Sequence, residues 1–523
     1  MSYPEGVRRV RLHWPEAAVI CLTCGLALYV TATLAAFLFV KHRGFDSVSY
    51  ADLALPHRWS AYRLKSGEFQ LSQAQQLLAA GEARAALASY RAGLAKIPGH
   101  REARLELAKL LAGAARPDLA RDVLEQGLIW LRDDPVYLRS YFGFLLQQQL
   151  DDEVRAQGAA MLQRTRPPAE GRAVIALAIA TAHYFRGQYD LAEDQLRRGQ
   201  ISLTTGGRLL TAQLEWERGY PDLALHHIRA LLQDAPGYDP ALAQLSQWLR
   251  ITGHFDEFRR VCLLRSLREP DNAAPRAELL YALHHAGDDQ AIEREVTQVL
   301  TATTFDQQAI TALAAFAADT GNVSLAERIR IECQRRSPSW LFPTWFAAEA
   351  MIAAKDYRAA IVLLSNAPPP LEAEDRRRRA LVNSLLAVAH FGLGDSASAQ
   401  LRLEDFIAHA ELRADNLLTI ARRLVEAGAA FPARTLLLRA STLDPANQAA
   451  LTELVSLDIE LAETTALTSH LERLSHMRRP SPGVLRRAAR YLGSDRHLFE
   501  SARESALLSA EAALAGPSEA PQI

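Results

Sequence analysis

The sequence has few cysteines, and none of them indicates a disulfide framework. There are four: Cys21, Cys24, Cys262 and Cys333. Cys21 and Cys24 have the spacing of a redox motif, but they lie in an uncharged apolar run, where a thiolate is strongly disfavoured. Cys262 and Cys333 are 71 residues apart on predicted helices, so we do not expect them to pair.

Motifs typical of enzymes are also missing. The sequence has no glycine-rich phosphate loop, no nucleophile elbow and no H-E-x-x-H zinc motif. The pairs His226-His227 and His284-His285 are adjacent in sequence, and adjacent side chains on a helix point about 100° apart, so neither pair predicts a chelating site. We therefore expect no catalytic residue, no metal and no cofactor, and the protein is predicted not to be an enzyme.

An excess of charge of either sign is missing as well. Lysine and arginine together number 59, against 60 aspartates and glutamates. A balanced chain has no general attraction to nucleic acid. We expect neither a nucleic-acid partner nor a small-molecule substrate. The composition is rich in alanine, leucine and arginine and poor in lysine, which fits helical repeats encoded by a GC-rich bacterial genome.

The sequence does contain a small-residue pattern that returns about every 34 residues. Its turn position is occupied by Gly187, Gly219, Gly253, Gly287, Gly321, Lys355, Gly394 and Gly428. The residues seven before and five after each turn are mostly alanine. Glycine adopts a left-handed turn backbone at low cost, and small residues allow two helices to approach closely. The pattern predicts consecutive helical hairpins that stack on one another.

This pattern resembles the tetratricopeptide repeat, as in the unit that contains Ala180, Gly187 and Ala192. The register extends backwards to turns near Gly81, Ala115 and Gln149, and forwards to a twelfth unit without glycine. The resemblance implies an all-α, right-handed superhelical solenoid of about 11–12 hairpins. We assign the solenoid to residues 67–478, capping helices to 479–512 and a disordered tail to 513–523.

An uncharged apolar run at residues 17–40 predicts a transmembrane helix. Its length covers the hydrocarbon core of a bilayer at ~1.5 Å per residue. The alternative is a cleaved signal peptide, but the run exceeds the usual apolar core of ~7–15 residues. A short basic N-terminus (1–16) precedes it and a juxtamembrane connector (41–66) follows. We expect a single-pass protein of a bacterial inner membrane.

The orientation and the connector leave alternatives open. Three arginines precede the span, and Lys41 and Arg43 follow it, so the positive-inside rule is nearly balanced. The short N-terminus favours periplasmic repeats, and cytoplasmic repeats are the alternative. Trp59 and the other connector aromatics either cap the solenoid or rest at the lipid interface. We favour the cap, because Leu55 and Leu64 continue the pattern of the first helix.

The resemblance implies that the first helix of each hairpin lines a concave groove. The candidate partner-binding residues in this register are Arg139, Gln213, Trp216, Gln247, Arg250, Tyr281, His284 and Arg422. Polar and aromatic groups of this kind bind an extended peptide or a helix. An ordinary solvated helix face is the alternative. Asparagine is absent from the ninth position of every unit, so a carboxylate clamp is not expected.

These observations predict a membrane-anchored scaffold or adaptor that binds proteins or peptides. The alternatives are a component of envelope or polysaccharide assembly and export, and a non-catalytic regulatory subunit of a membrane-associated enzyme.

Overall fold

The chain is all-α in the residues that the structure, a computed structural model, describes. These are residues 14–42, 44–114, 116–164, 168–269, 272, 274–303, 305–338, 340–366, 374–408, 412–478, 480–500 and 502–515. The proline run at 368–370 and most of the predicted disordered tail lie outside them. Two compact units are present, residues 1–148 with 159–175 (unit 1) and residues 149–158 with 176–523 (unit 2).

Unit 1 begins with a long apolar helix and continues with the first hairpins. Its helices are α1 (Trp14–His42), α2 (Tyr50–Ala54), α3 (Trp59–Ala79), α4 (Ala83–Lys96), α5 (Arg101–Gly113), α6 (Pro117–Leu131) and α7 (Pro135–Gln147), with a 3-10 turn at Pro56–Arg58. Two further helices contribute residues to both units, namely α8 (Asp151–Arg164) and α9 (Ala169–Phe185).

Unit 2 contains the remaining hairpins. Its helices are α10 (Tyr189–Arg198), α11 (Thr205–Glu217), α12 (Pro221–Asp234), α13 (Asp239–Thr252), α14 (Phe255–Arg268), α15 (Ala274–His285), α16 (Asp289–Thr301), α17 (Gln307–Asp319), α18 (Val323–Arg336), α19 (Phe342–Ala353) and α20 (Tyr357–Ser365). They continue with α21 (Glu374–Gly392), α22 (Ser396–Ile407), α23 (Ala414–Glu426), α24 (Ala430–Leu443), α25 (Gln448–Glu460), α26 (Thr464–Ser475), α27 (Pro482–Leu492) and α28 (Arg503–Ala515).

The helices from α3 to α26 form consecutive hairpins, as the repeat pattern predicts. The turn residue has a positive φ in every hairpin whose turn is described, including the non-glycine turns at Gln149 (59°), Lys355 (62°) and Ala462 (58°). The turn predicted at Ala115 lies outside the described residues. The sequence period therefore predicts the backbone conformation even where the residue is not glycine.

In many of the hairpins small residues face each other in the core between the two helices. Ala180 and Ala192 are both fully buried, and the same holds for Ala421 and Ala433. Ile292 differs: it is only partly buried, and its neighbour Ala291 takes the buried position.

The apolar helix α1 is exposed along its length. Within the segment Ala18–His42, a stretch of 18 residues has a mean hydropathy of 2.0, and none of that stretch is buried. A membrane anchor and a signal sequence near the N-terminus both have these properties. The C-terminal half of α1 contacts α2, since the hydroxyl of Tyr29 donates to the carbonyl of Ala54 at 2.7 Å.

Unit 2 contains contacts between residues about 300 positions apart. The amide of Gln149 donates to the carbonyl of Ala446 at 2.6 Å, and Arg186 donates to the carbonyl of His476 at 2.7 Å. The fully buried carboxylate of Asp151 lies 2.9 Å from Nε of Arg186 and accepts a 2.9 Å hydrogen bond from Nε of Arg478. The first and last hairpins of this unit therefore touch, and charged side chains hold them together.

Candidate partner-binding groove

The predicted groove residues lie on first helices, and all but one of them belong to unit 2. Gln213 and Trp216 are on α11, Gln247 and Arg250 on α13, Tyr281 and His284 on α15, and Arg422 on α23. Arg139 is exposed on α7 in unit 1. We call the exposed inner surface of α11, α13 and α15 the groove face.

A chain of side-chain amides runs across the groove face. The amide nitrogen of Gln213 donates to Oε1 of Gln244 at 2.8 Å, and the amide nitrogen of Gln244 donates to Oε1 of Gln247 at 3.2 Å. Each amide still has free donor or acceptor capacity, because a glutamine offers two donors and an acceptor oxygen with two lone pairs. The chain can therefore hydrogen-bond to the backbone of an extended peptide.

Arg250 is the charged group at the end of this chain. It is exposed, and its guanidinium forms no hydrogen bond or ion pair with another described residue. Arg250 lines a shallow surface depression together with Gln244, Gln247 and Glu278. Glu278 is already engaged, since it accepts from Ser246 at 2.8 Å and from Arg265 at 3.3 Å. The guanidinium of Arg250 thus remains available for a carboxylate.

An aromatic platform borders the amide chain. The ring of Trp216 stacks on that of Trp248, with centroids 4.7 Å apart and planes within 6°. Trp248 is buried and Trp216 is half-buried. The buried ring of Trp248 restricts the ring of Trp216, so a partner that packs against Trp216 loses little side-chain entropy.

The hydroxyl of Tyr281 takes part in a hydrogen-bond network within the protein, and its role in partner binding stays a prediction. Its hydroxyl donates to Oδ2 of Asp319 at 2.5 Å, and Oδ1 of Asp319 accepts from Arg423 at 3.0 Å. Burial, followed by the hydrogen bond to Asp319, raises the pKa of Tyr281. Arg423 is 104 residues from Asp319, so the network joins the first helices of distant hairpins.

Glu349 on α19 lies beside this network and is largely buried. Burial raises the pKa of Glu349 from its ordinary 4.5 to about 7, Arg423 opposes this change, and Asp319 adds to it. Its ionisation therefore costs free energy in the folded state. We expect the stability of unit 2 to fall as the pH rises from about 4.5 to 7, because unfolding then releases a proton.

The variant Glu349→Gln is expected to remove this pH dependence. At pH 8 it should be more stable than the natural protein by about 1–3 kcal/mol, since one pKa unit corresponds to about 1.4 kcal/mol. At pH 4.5 the two proteins should be equally stable. Thermal unfolding followed by circular dichroism at both pH values measures the difference. The exposed Glu404→Gln on α22 is the control, and an equal gain from both variants at pH 8 would refute the assignment.

Two other predicted residues, Arg422 and His284, have partners within the protein. Nε of Arg422 donates to Glu453 at 2.5 Å, and the exposed ring of His284 packs edge-to-face with Phe316 at a centroid distance of 5.8 Å.

No group of three or more histidine, cysteine, aspartate or glutamate residues suited to a metal is found in the described part of the chain. Burial raises the pKa of Cys262 to about 12 and of Cys333 to about 11.

Sequence reasoning missed Gln244, Glu278 and the Asp319–Arg423 pair. Glu349 had a visible signal, because it is a lone carboxylate in the apolar run FAAEAMIA. Gln244 lies one turn before Gln247 on the same face of α13 and could have been found from the helical period. Asp319 and Arg423 carry no local signal.

Comparisons with known proteins identify the repeats. Residues 77–140 match the tetratricopeptide repeat family model. The solved APC/C hetero-tetramer Cut9-Hcn1 is 14% identical, with 85% of this chain and 86% of that chain covered and a TM-score of 0.29. The structure of Naa15/Naa10 bound to HypK-THB is 14% identical, with 92% and 78% covered and a TM-score of 0.23. No curated protein matches the chain.

Tetratricopeptide repeats generally form scaffolds for protein–protein interaction. Here the assignment depends on the matched segment and on the hairpins themselves, whose turn spacing and facing small residues continue beyond it. Residues 77–140 thus match the tetratricopeptide repeat family, and the other described hairpins of the chain have the same helix–turn–helix architecture.

Proposed function

We propose that this protein is a membrane-anchored scaffold that holds a partner protein on its groove face. The observation that carries the proposal is the exposed guanidinium of Arg250, which has no ion-pair partner in the described structure, at the end of the amide chain of Gln213, Gln244 and Gln247. Amides match the backbone of an extended segment, and a guanidinium matches a carboxylate. The partner we expect is an extended segment with an acidic side chain.

Helix α1 supports anchoring in a bacterial inner membrane. Its apolar segment of 25 residues is long enough to cross a bilayer. An anchor confines the groove face to the membrane surface and so raises the local concentration of partners that are held there. In this proposal the protein acts by binding alone, without a catalytic residue, metal or cofactor.

The double variant Gln247→Ala/Arg250→Glu is expected to weaken partner binding at least about tenfold. A charge-assisted hydrogen bond contributes roughly 1.5–3 kcal/mol, and about 1.4 kcal/mol is a factor of ten. Affinity purification of the full-length protein, with quantitative mass spectrometry, measures the recovery of each partner. The control is Arg260→Glu, an exposed arginine on the second helix α14. Equal recovery of partners with both variants would contradict a binding site on the groove face.

We place the repeats in the periplasm, because the arginines of the short N-terminus favour a cytoplasmic location for it. A reporter that is active only in the periplasm, fused after residue 480, should be active. Activity of a cytoplasm-only reporter at the same position would reverse the orientation and leave the anchoring intact.

A further inference from the structure

The connector after α1 and the first turns of α3 carry an exposed surface that partner binding does not use. Its apolar members are Leu55, Trp59 and Leu64, which are 41%, 55% and 48% exposed. His57, Arg58 and Arg63 are exposed among them. We call these six residues the connector surface. We propose that it binds the headgroup layer of an anionic phospholipid bilayer. The proposal relies on anchoring by α1 and adds where the bilayer surface lies along that helix.

Three contacts fix α2 beside the C-terminal half of α1. The hydroxyl of Tyr29 donates to the carbonyl of Ala54 at 2.7 Å, and the hydroxyls of Thr33 and Tyr50 are 3.0 Å apart. The ring of Phe37 meets the ring of Tyr50 edge-on at 6.0 Å. The short helix α2 therefore lies at the level of residues 29–37 of α1.

A group of charges lies at this same level. The carboxylate of Asp52 on α2 is 2.7 Å from Nζ of Lys65 and 4.0 Å from the guanidinium of Arg58. Tyr29 precedes His42 by 13 residues, or about 20 Å of helix. If the bilayer ended at His42, these charges would lie deep in the hydrocarbon, at a cost of several kcal/mol.

The bilayer surface therefore fits best near Thr33. From Trp14, whose side chain is 75% exposed, to Thr33 there are 19 residues, or about 28 Å, close to the ~30 Å of a hydrocarbon core. Glu16 then lies within about 3 Å of the opposite surface, next to the headgroups rather than deep in the hydrocarbon. Leu34 and Leu38 then fall in or next to the headgroup region, which adds roughly 5–7 Å on each side. This boundary differs from the span at residues 17–40 expected from hydropathy alone.

The composition of the connector surface matches that region of a membrane. Tryptophan is enriched at lipid interfaces, and basic residues near a bilayer surface are attracted to anionic headgroups. The buried acid Asp52 lies 2.7 Å from Lys65 and 4.0 Å from Arg58, so the group formed by Asp52, Arg58, Arg63 and Lys65 keeps a net positive charge. The indole of Trp59 donates to the carbonyl of Leu53 at 3.1 Å, which holds the ring at the surface. The connector surface continues directly from the proposed anchor, which favours lipid over a protein as its occupant.

Spin labels in the full-length protein test this placement. Cys21 and Cys24 are replaced by alanine, while the buried Cys262 and Cys333 are kept. A cysteine at position 59, 26 or 82 is then labelled in nanodiscs of phosphatidylcholine, with or without phosphatidylglycerol. Accessibility to oxygen and to a nickel chelate reports the depth of each label. Leu64→Cys replaces Trp59→Cys if the latter does not fold.

We expect the label at 26 to lie in the hydrocarbon, the label at 59 in the headgroup layer, and the label at 82 in water. Phosphatidylglycerol should deepen the label at 59, and Arg58→Glu should abolish that shift. A label at 59 as accessible as the one at 82, with 26 still embedded, would overturn the inference and leave the anchor intact. A water-exposed label at 26 would overturn both.

Discussion

Replacing Asp151 with alanine is expected to destabilise unit 2 by about 3–5 kcal/mol, the usual cost of breaking a buried ion pair by removing one partner. Asp151 is fully buried, and Arg186 and Arg478 both point at its carboxylate. Its loss leaves two partly buried guanidinium groups without this counter-charge. Arg478 follows α26, whereas Asp151 begins α8. The variant should therefore also loosen the contact between these two ends of unit 2.

Hydrogen exchange followed by mass spectrometry measures both effects, since a long repeat array need not unfold in a single step. Protection should fall in residues 149–158 and 446–478. The neighbouring Asp152→Ala is the matched control, because Asp152 is 76% exposed and pairs only with Arg155 one turn away. An exposed pair contributes about 1 kcal/mol or less. If both variants lose the same protection, the buried pair does not hold the ends of unit 2 together.

Replacing Gly207 with alanine is expected to cost about 3 kcal/mol, at the upper end of the usual range for overpacking. Gly207 is buried in the first turn of α11, where its backbone N–H donates to the hydroxyl of Thr204 at 3.1 Å. A Cβ at this position would lie 1.9 Å from the backbone carbonyl oxygen of Ile201. A backbone oxygen cannot move aside without shifting the linker before α11, so the turn must deform.

The adjacent Gly206→Ala is the control for this prediction. Its Cβ would meet only the end of the Leu177 side chain, which can change rotamer. We expect Gly206→Ala to cost less than about 1 kcal/mol. Thermal denaturation of the two variants gives the comparison, and equal losses would contradict the close packing of α11 against its linker.

The hairpins could be predicted from the sequence because each one repeats the same local requirements. Lys355 and Ala462 are not glycines, yet both adopt the positive φ that the 34-residue period predicts for the turn position. The fully buried Ala180 and Ala192 follow from the same period. Most units contain both the turn residue and the facing small residues, so the repeat can be recognised even where one unit deviates.

The contacts between hairpins that are far apart in sequence could not be predicted in the same way. Asp319 and Arg423 meet because of the cumulative rotation between successive hairpins, which no single unit specifies. The same holds for Asp151 and Arg478. The repeat register correctly places Tyr281 on a first helix, but it does not show that Asp319 already engages its hydroxyl.

The candidate site was therefore only partly predictable from the sequence. The register identified Gln247 and Arg250, and the structure joins them to Gln213 through Gln244. Arg422 differs from Gln247 and Arg250, because its guanidinium is already paired with Glu453 in the structure. Side-chain partners, which depend on neighbouring hairpins, distinguish the available residues from the engaged ones.

Site-specific photocrosslinking in cells tests the proposed scaffold role most directly. A photoreactive amino acid replaces Gln247 on the groove face or Arg260 on α14, and mass spectrometry identifies the cross-linked proteins. We predict that position 247 cross-links to a defined partner, that position 260 does not, and that Arg250→Glu abolishes the product at 247. A partner captured from position 260 alone, or captured equally in the presence of Arg250→Glu, would contradict binding on the groove face.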